Sequence, residues 1–250
     1  MTCLILIVSV LYNTLFKTEL KKFAVLIDPE KQDLKQTAKI ALNAQRSGAD
    51  MIFIGGSLVS SDLSASVNAI KTNSELPVIL FPGSLFQISD QADAILLLSL
   101  ISGRNPDYLI GNHVIAAPLL KKSSLEIIPV GYVLVNGSYI TSVEYMSNTK
   151  AIPPNKPDIV VATALAGEMS GHKAIYLEAG SGAENHIPLD IIDEVKKNIS
   201  IPLIVGGGIR NEKNLRGICN AGADIIVVGN AIEENHGLMR SFADIIHSSS

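Results

Sequence analysis

The chain has 250 residues, 47% of them hydrophobic and only 18% charged, against roughly 25% charged in an average soluble domain. That balance supplies a large core and excludes intrinsic disorder, which needs low hydrophobicity and high net charge. A formal charge of −4 and an isoelectric point near 5.7 exclude a general nucleic-acid binder, so no nucleic-acid partner is expected.

Thr2–Leu11 is an apolar run of ten. A membrane-crossing helix needs roughly 17–25 residues, so this run does not span. No basic segment precedes it, no small-residue cleavage site follows, and Lys17, Lys21 and Lys22 come after it, which is not the layout of a secretory signal. A packed helix leading into the domain is expected, with shallow membrane contact as the alternative. Cys3 and Cys219 make neither a disulfide framework nor a metal-ligand spacing, and a reduced, cytoplasmic protein is expected.

Further along, short apolar runs alternate with helix-length segments. The runs are Phe23–Ile27, Met51–Ile54, Val78–Phe81, Ala94–Leu98, Ile127–Val135, Ala174–Leu177, Leu203–Val205 and Ile225–Val228. Each is continuous rather than alternating, as in parallel strands buried on both faces. Leu34–Ser47 reads as a helix closed by Gly48, and Pro106–Lys122 as one with Pro at its start and lysines at its end. Pro188–Asn198 and Asn211–Asn220 read as helices too, and Val160–Met169 is apolar enough for a strand, although its alanine-rich tail favours a helix. Eight such units in this length predict an α/β fold, a single (β/α)8 TIM barrel with an N-terminal helix before strand 1. The single domain covers 1–250, with a lead-in at 1–22 and the barrel at 23–247. An open doubly wound sheet is disfavoured, because the first strand ends in Asp28-Pro29-Glu30-Lys31 and not in a glycine-rich dinucleotide turn. Residues 136–157 are polar and carry Pro153-Pro154; they read as a long loop or lid at the catalytic end of a strand. The tail Ser248–Ser250 is expected to fray. One echo stands out: Gly48–Ser57 (GADMIFIGGS) and Gly222–Ala231 (GADIIVVGNA) share five of ten positions.

Strand exits of a TIM barrel face its active site. Gly206-Gly207-Gly208 and Gly229-Asn230, at the last two exits, suit a phosphate, because backbone N–H groups and a helix start favour an anion. The sixth exit, Glu178-Ala179-Gly180-Ser181-Gly182, adds a third glycine-rich loop. Tyr176 and Glu178, two apart on a strand, point the same way, and Glu178 suits a general base. Asp28, near the Gly55-Gly56-Ser57 exit, suits Mg2+, which prefers oxygen ligands shared with phosphates. Arg104 follows strand 4, where it could meet a diphosphate; an ordinary loop role is the competing reading. The five histidines, His113, His172, His186, His236 and His247, show no metal-site spacing.

Taken together, Leu26-Ile27-Asp28-Pro29, Ile54-Gly55-Gly56-Ser57, the stretch Ser102–Gly111 (SGRNPDYLIG), Tyr176–Gly182 (YLEAGSG), Val205–Ile209 (VGGGI) and Val228-Gly229-Asn230 resemble the geranylgeranylglyceryl phosphate synthase family, which includes the bacterial heptaprenylglyceryl phosphate synthases. The likeness runs from about Phe23 to Phe242. It implies a prenyltransferase that joins sn-glycerol 1-phosphate to a polyprenyl diphosphate through an ether bond. It implies Mg2+ on Asp28 and Ser57, catalysis by Glu178 and Tyr176, and glycerol phosphate on Tyr176, Leu177, Glu178, Ala179, Gly180, Ser181, Gly182, Gly207, Gly208, Gly229 and Asn230. Family members of the heptaprenyl type carry Lys two residues before the Asp; Leu26 stands there in this chain, which favours a geranylgeranyl group. A homo-oligomer, dimer or hexamer, is implied, with peripheral membrane contact to deliver a lipid product. The competing class is a phosphate-binding TIM-barrel isomerase or synthase of small-metabolite biosynthesis, which needs no apolar groove. A non-catalytic phosphate-binding barrel is the third reading.

Overall fold

The computed structural model describes residues 10–136 and 139–249. Most of the apolar run Thr2–Leu11 therefore lies outside the described residues, as does Ser250. Eight parallel strands close a barrel in sequence order: β1 (Lys22–Ile27), β2 (Met51–Ile54), β3 (Val78–Leu80), β4 (Ala94–Leu100), β5 (Glu126–Leu134), β6 (Ala174–Glu178), β7 (Leu203–Gly206) and β8 (Ile225–Val228). The ring closes where β1 pairs with β8, Phe23 opposite Ile226. Helices α1 (Leu34–Ser47), α2 (Leu63–Asn73), α3 (Asn112–Leu120), α4 (Ser142–Ser147), α5 (Pro157–Met169), α6 (Leu189–Asn198), α7 (Glu212–Asn220), α8 (Asn230–Glu234) and α9 (Leu238–Ser248) complete it. α9 reaches Ser248, so the tail is helical one residue into the stretch expected to fray.

The expected helix over 106–122 is present as continuous helical backbone from Pro106 to Leu120, with one π-helical turn near its start. That turn, Asp107–Gly111, precedes α3, which carries Pro118 inside it. The long loop also contains a helix: α4 starts at a capping box, in which Thr141 Oγ1 accepts from the Glu144 amide and the Glu144 carboxylate accepts from the Thr141 amide. One βα unit lacks its helix altogether. Residues 81–93, between β3 and β4, are irregular, and Pro82, Gly83, Ser84, Ser89 and Asp90 supply the turn chemistry. In place of a helix, Leu85 and Ile88 of that irregular segment pack against the outer apolar layer.

Two apolar layers follow from strand alternation. Ile27, Ile52, Ile54, Leu80 and Leu177 pack outward beneath the helices. Ala24, Met51, Phe53, Ile79, Leu96, Val130, Tyr132, Tyr176 and Ile204 fill the barrel. Phe16, at the end of a π-helical turn (Tyr12–Phe16), joins the inner layer and is 1% exposed. The same segment is pinned at the strand-start end, where the Glu126 carboxylate accepts from the amides of Leu11 (2.8 Å) and Tyr12 (2.9 Å). The N-terminal lead-in thus plugs the floor of the barrel.

The Gly-Ala-Asp echo has a structural job. Asp50 accepts from the amide of Phe23 (2.8 Å), and Asp224 from the amide of Leu203 (2.7 Å). Asp93 does the same for Val78 (2.8 Å). Each is returned by a backbone bond of 2.9 Å from the aspartate amide to the same residue's carbonyl. Each also holds a lysine: Lys22, Lys196 and Lys71 respectively. The aspartate just before β2, β4 and β8 therefore ties down the start of the strand before it. Asp224→Ala, which leaves the Leu203 amide without its partner, is expected to cost about 1–3 kcal/mol. Urea unfolding checks this; Asp224→Asn, which keeps an acceptor, should lose less.

Candidate active site

The register β6–β7 sets Glu178 opposite Gly206. A Cβ on Gly206 would lie 2.3 Å from the Tyr176 hydroxyl and 3.1 Å from Glu178 Oε2; one on Gly207 would lie 2.4 Å from Glu178 Oε1. Two glycines of the triplet are thus required so that a carboxylate and a phenol can lie against the β7 backbone. Gly208 has φ +68°, and its Cβ would sit 2.3 Å from the Asn185 carbonyl oxygen, so it lets the sixth and seventh exits touch.

Glu178 is 6% exposed. Burial raises its carboxyl from 4.5 to about 7, against the opposing pull of the Gly180 amide, which donates to Oε1 at 2.7 Å, and of the Tyr176 hydroxyl. That hydroxyl is close enough to Glu178 to lower its carboxyl, yet among the described residues it makes no hydrogen bond of good distance and angle. Burial and the Glu178 charge push the Tyr176 and Tyr132 phenols well above their ordinary range. Phe81 stacks on Tyr176 at 5.3 Å, and Tyr132 tilts against it at the same distance. The Tyr176 ring thus packs beside two other aromatic rings, and its hydroxyl makes no hydrogen bond among the described residues.

Across the mouth, Asp28 lies against Gly56, whose Cβ would be 3.1 Å from Oδ1. The Gly56 peptide is clamped by the buried Gln87, whose Nε2 donates to the Gly56 carbonyl (2.7 Å) and whose Oε1 accepts from the Gly56 amide (3.2 Å). This presents the next residue, Ser57, to the cavity. Glu30 accepts from the amides of Ser60 and Ser61, both at 2.6 Å, and joins the first two exit loops; those bonds lower its carboxyl. Lys31 reaches from the first exit to the eighth, 3.2 Å from Asn230 Oδ1. Gln87 and Lys31 were not expected as site residues; Gln87 sits in an irregular segment, and its partner is 31 residues away.

One cavity of about 750 Å³ gathers Asp28, Ser57, Tyr176, Glu178, Gly180, Ser181, Gly182, Gly207, Gly208, Gly229 and Asn230. Three expected site residues stay outside its lining. Leu177 and Ala179 alternate away from it into the outer apolar layer, so only their backbone is near the mouth. Arg104 is turned onto its own loop, donating to the carbonyls of Ile101, Ser102 and Gly103. The cavity continues along Leu85, Ile88, Leu97, Ala116 and Leu120, where the helix between β3 and β4 is missing. From above, α4 and its lead-in contribute Ile140, Val143 and Met146. Thr141 closes on Gly180, where a Cβ would lie 2.5 Å from its methyl.

The fold and site define a TIM barrel with a buried carboxyl group raised to about 7, glycine-rich exits suited to an anion, and an apolar groove in the same cavity. The model of the PcrB family matches residues 16–247, and the chain belongs to that family. It is 50% identical over 230 residues to the geranylgeranylglyceryl phosphate synthase of Chitinophaga pinensis, covering 92% of this chain and 91% of the relative. It is 41% identical over 233 residues to the enzyme of the same name from Methanosphaera stadtmanae, covering 92% and 95%. The crystal structure of (S)-3-O-geranylgeranylglyceryl phosphate synthase from Thermoplasma acidophilum in complex with its substrate sn-glycerol-1-phosphate superposes with a TM-score of 0.85 at 34% identity, covering 92% of this chain and 93% of that one.

Glu178 makes stability pH-dependent in a definite direction. An unfolded glutamate ionises near 4.5, the folded one near 7. Between those values the unfolded chain sheds its proton first, so stability falls as pH rises, by about 3 kcal/mol in total. Glu178→Gln is therefore expected to be more stable than the wild type above pH 7 by up to about that amount, with the difference vanishing near pH 4. Denaturant unfolding at both ends measures it.

Proposed function

We propose that the protein is a Mg2+-dependent prenyltransferase. It joins sn-glycerol 1-phosphate to a polyprenyl diphosphate, forming an ether bond and releasing diphosphate. The observation that carries this reading is the position of Glu178: buried, raised to about 7, and set between the glycine-rich exits and the apolar groove in one cavity. The names of the relatives and the glycerol phosphate held by the Thermoplasma acidophilum enzyme support the same substrates. An isomerase or synthase of small metabolites would have no use for a groove lined by Leu85, Ile88, Leu97, Ala116 and Leu120.

On this reading the amides of Ser181, Gly182, Gly207, Gly208, Gly229 and Asn230 cradle the glycerol phosphate, while the Gly180 amide, which donates to Glu178 Oε1, holds the carboxylate in place. α8 is a single turn, so it offers local N–H groups rather than a long helix dipole. A glycerol hydroxyl attacks the first carbon of the prenyl group. The new C–O bond forms as the bond to diphosphate breaks, the electron pair leaves with diphosphate, and the hydroxyl proton passes to Glu178. The Tyr176 hydroxyl orients the glycerol. Holding both substrates in one cavity supplies proximity.

The donor set at the first two exits fits Mg2+: one carboxylate, Asp28, and one hydroxyl, Ser57, around a glycine that leaves room, with the remaining positions for water and substrate oxygens. When bound there, the ion supplies charge neutralisation for the departing diphosphate. Leu26 in place of a lysine, and the geranylgeranyl enzymes among the relatives, support a geranylgeranyl chain. A cytoplasmic enzyme that assembles as a dimer or hexamer and meets the membrane at its surface belongs to the same proposal. No helix among the described residues is long and apolar enough to cross a membrane. The exposed side chains Leu58, Ile140 and Tyr145 at the rim of the cavity suit shallow contact with lipid.

Glu178→Gln should lower kcat by roughly 10²–10⁴-fold with little change in glycerol phosphate affinity. The wild-type rate should climb as pH rises through about 7, where Glu178 becomes able to accept a proton. Steady-state kinetics across pH 5.5–8.5 decide it; equal loss of kcat and affinity would remove the general-base role.

A further inference from the structure

Among the described residues, the charged side chains lining the cavity are Asp28, Glu178, Glu233 and Glu234 on one side of the balance and Lys31 and Arg210 on the other. Carboxylates outnumber cations in a cavity read as binding two phosphorylated substrates, so each cation matters for holding anions there. Arg210 directs Nη2 at the carbonyls of Gly182 (3.4 Å) and Ala183 (3.3 Å). Leu26, on the β1 wall, brings no charge. Lys31 is differently placed. Its ammonium lies 3.2 Å from Asn230 Oδ1, 3.5 Å from Glu233 Oε2 and 3.7 Å from Asp28 Oδ2. The two carboxylate distances are long for charge-assisted hydrogen bonds, which run about 2.7–2.9 Å. The side chain is 40% exposed, and its four-carbon stem leaves the head free to turn.

We infer that Lys31 is a substrate-binding residue for the phosphate of glycerol phosphate. It sits at the seam of the first and eighth exits and turns its ammonium from Asp28 and Glu233 to a phosphate held beside Asn230. Gly182 lies next to the same spot, since a Cβ there would be 3.6 Å from Asn230 Nδ2. The anion would then be met by backbone N–H groups from the sixth and eighth exits and by one full positive charge from the first. This inference rests on the glycerol phosphate reading given above.

The test is calorimetric titration of sn-glycerol 1-phosphate into the wild type, Lys31→Met, Lys31→Arg and the double variant Lys31→Met/Glu233→Gln, without Mg2+ or prenyl diphosphate. Lys31→Met should weaken binding roughly 10- to 100-fold, as expected for a lost charge-assisted contact, and Lys31→Arg should recover most of it. The double variant should bind as weakly as Lys31→Met. Wild-type affinity in Lys31→Met would overturn the inference while leaving the glycerol phosphate site standing. Recovery in the double variant would also overturn it, because Lys31 would then only be neutralising Glu233. A wild type that does not bind glycerol phosphate at all would overturn both the inference and the reading beneath it.

Discussion

The site depends on the close approach of Glu178 and Tyr176 to the β7 backbone. That approach exists only because residues 206 and 207 have no side chain to fill the space. It removes the carboxylate from water, which raises it to about 7. The same packing leaves the Tyr176 hydroxyl without a well-formed hydrogen bond among the described residues. A buried polar atom without a hydrogen bond is costly in a static structure, and such atoms in native proteins point to a ligand or a role in chemistry. Here the carboxylate and the hydroxyl belong to the one cavity that gathers most of the predicted site residues among those described. The stability cost of that arrangement is borne by the rest of the barrel: two continuous apolar layers, a floor plugged by Phe16, and three aspartates that tie neighbouring strand starts together.

The greasy, charge-poor composition divides into two uses. Eight strands buried on both faces take most of it. The remainder lines a groove that opens where residues 81–93 form no helix. Losing a helix would normally leave an apolar strand face exposed and unstable. In this barrel the gap is bordered by Leu85 and Ile88 from the irregular segment and by Ala116 and Leu120 from α3, so an apolar lining is kept while space for a hydrocarbon chain is left. Anion chemistry at the exits and hydrocarbon storage on the flank then share one cavity, as a reaction between glycerol phosphate and a prenyl diphosphate requires.

Strands and most helices were legible because their signals are local. Met51–Ile54, Ile225–Val228 and Leu34–Ser47 have the bounds that apolar runs and the Gly48 cap imply. The missing helix after β3 was hidden, because an alternating βα pattern predicts a helix in every gap, and only the Pro-Gly-Ser chemistry of that stretch argues otherwise. The exits were legible as glycine-rich loops, but what the glycines do was not. Two of the triplet serve the neighbouring strand's side chains as well as offering amides to an anion, and that depends on the β6–β7 register. Leu177 and Ala179 were carried along with a continuous motif although alternation turns them away from the mouth. Contacts across large separations, such as Lys31 with Asn230 or Gln87 with Gly56, leave no trace in spacing. The Gly-Ala-Asp echo was visible, yet its meaning needed the third aspartate, Asp93, which lacks the glycine.

The most direct test of the account is the reaction itself. Purified protein is incubated with Mg2+, with labelled sn-glycerol 1-phosphate or its enantiomer, and with prenyl diphosphates of several lengths, and the lipid-soluble products are analysed by chromatography and mass spectrometry. The account predicts an ether of sn-glycerol 1-phosphate, formed best with geranylgeranyl diphosphate, together with released diphosphate. Absence of any ether product with every donor and both glycerol phosphates would contradict it.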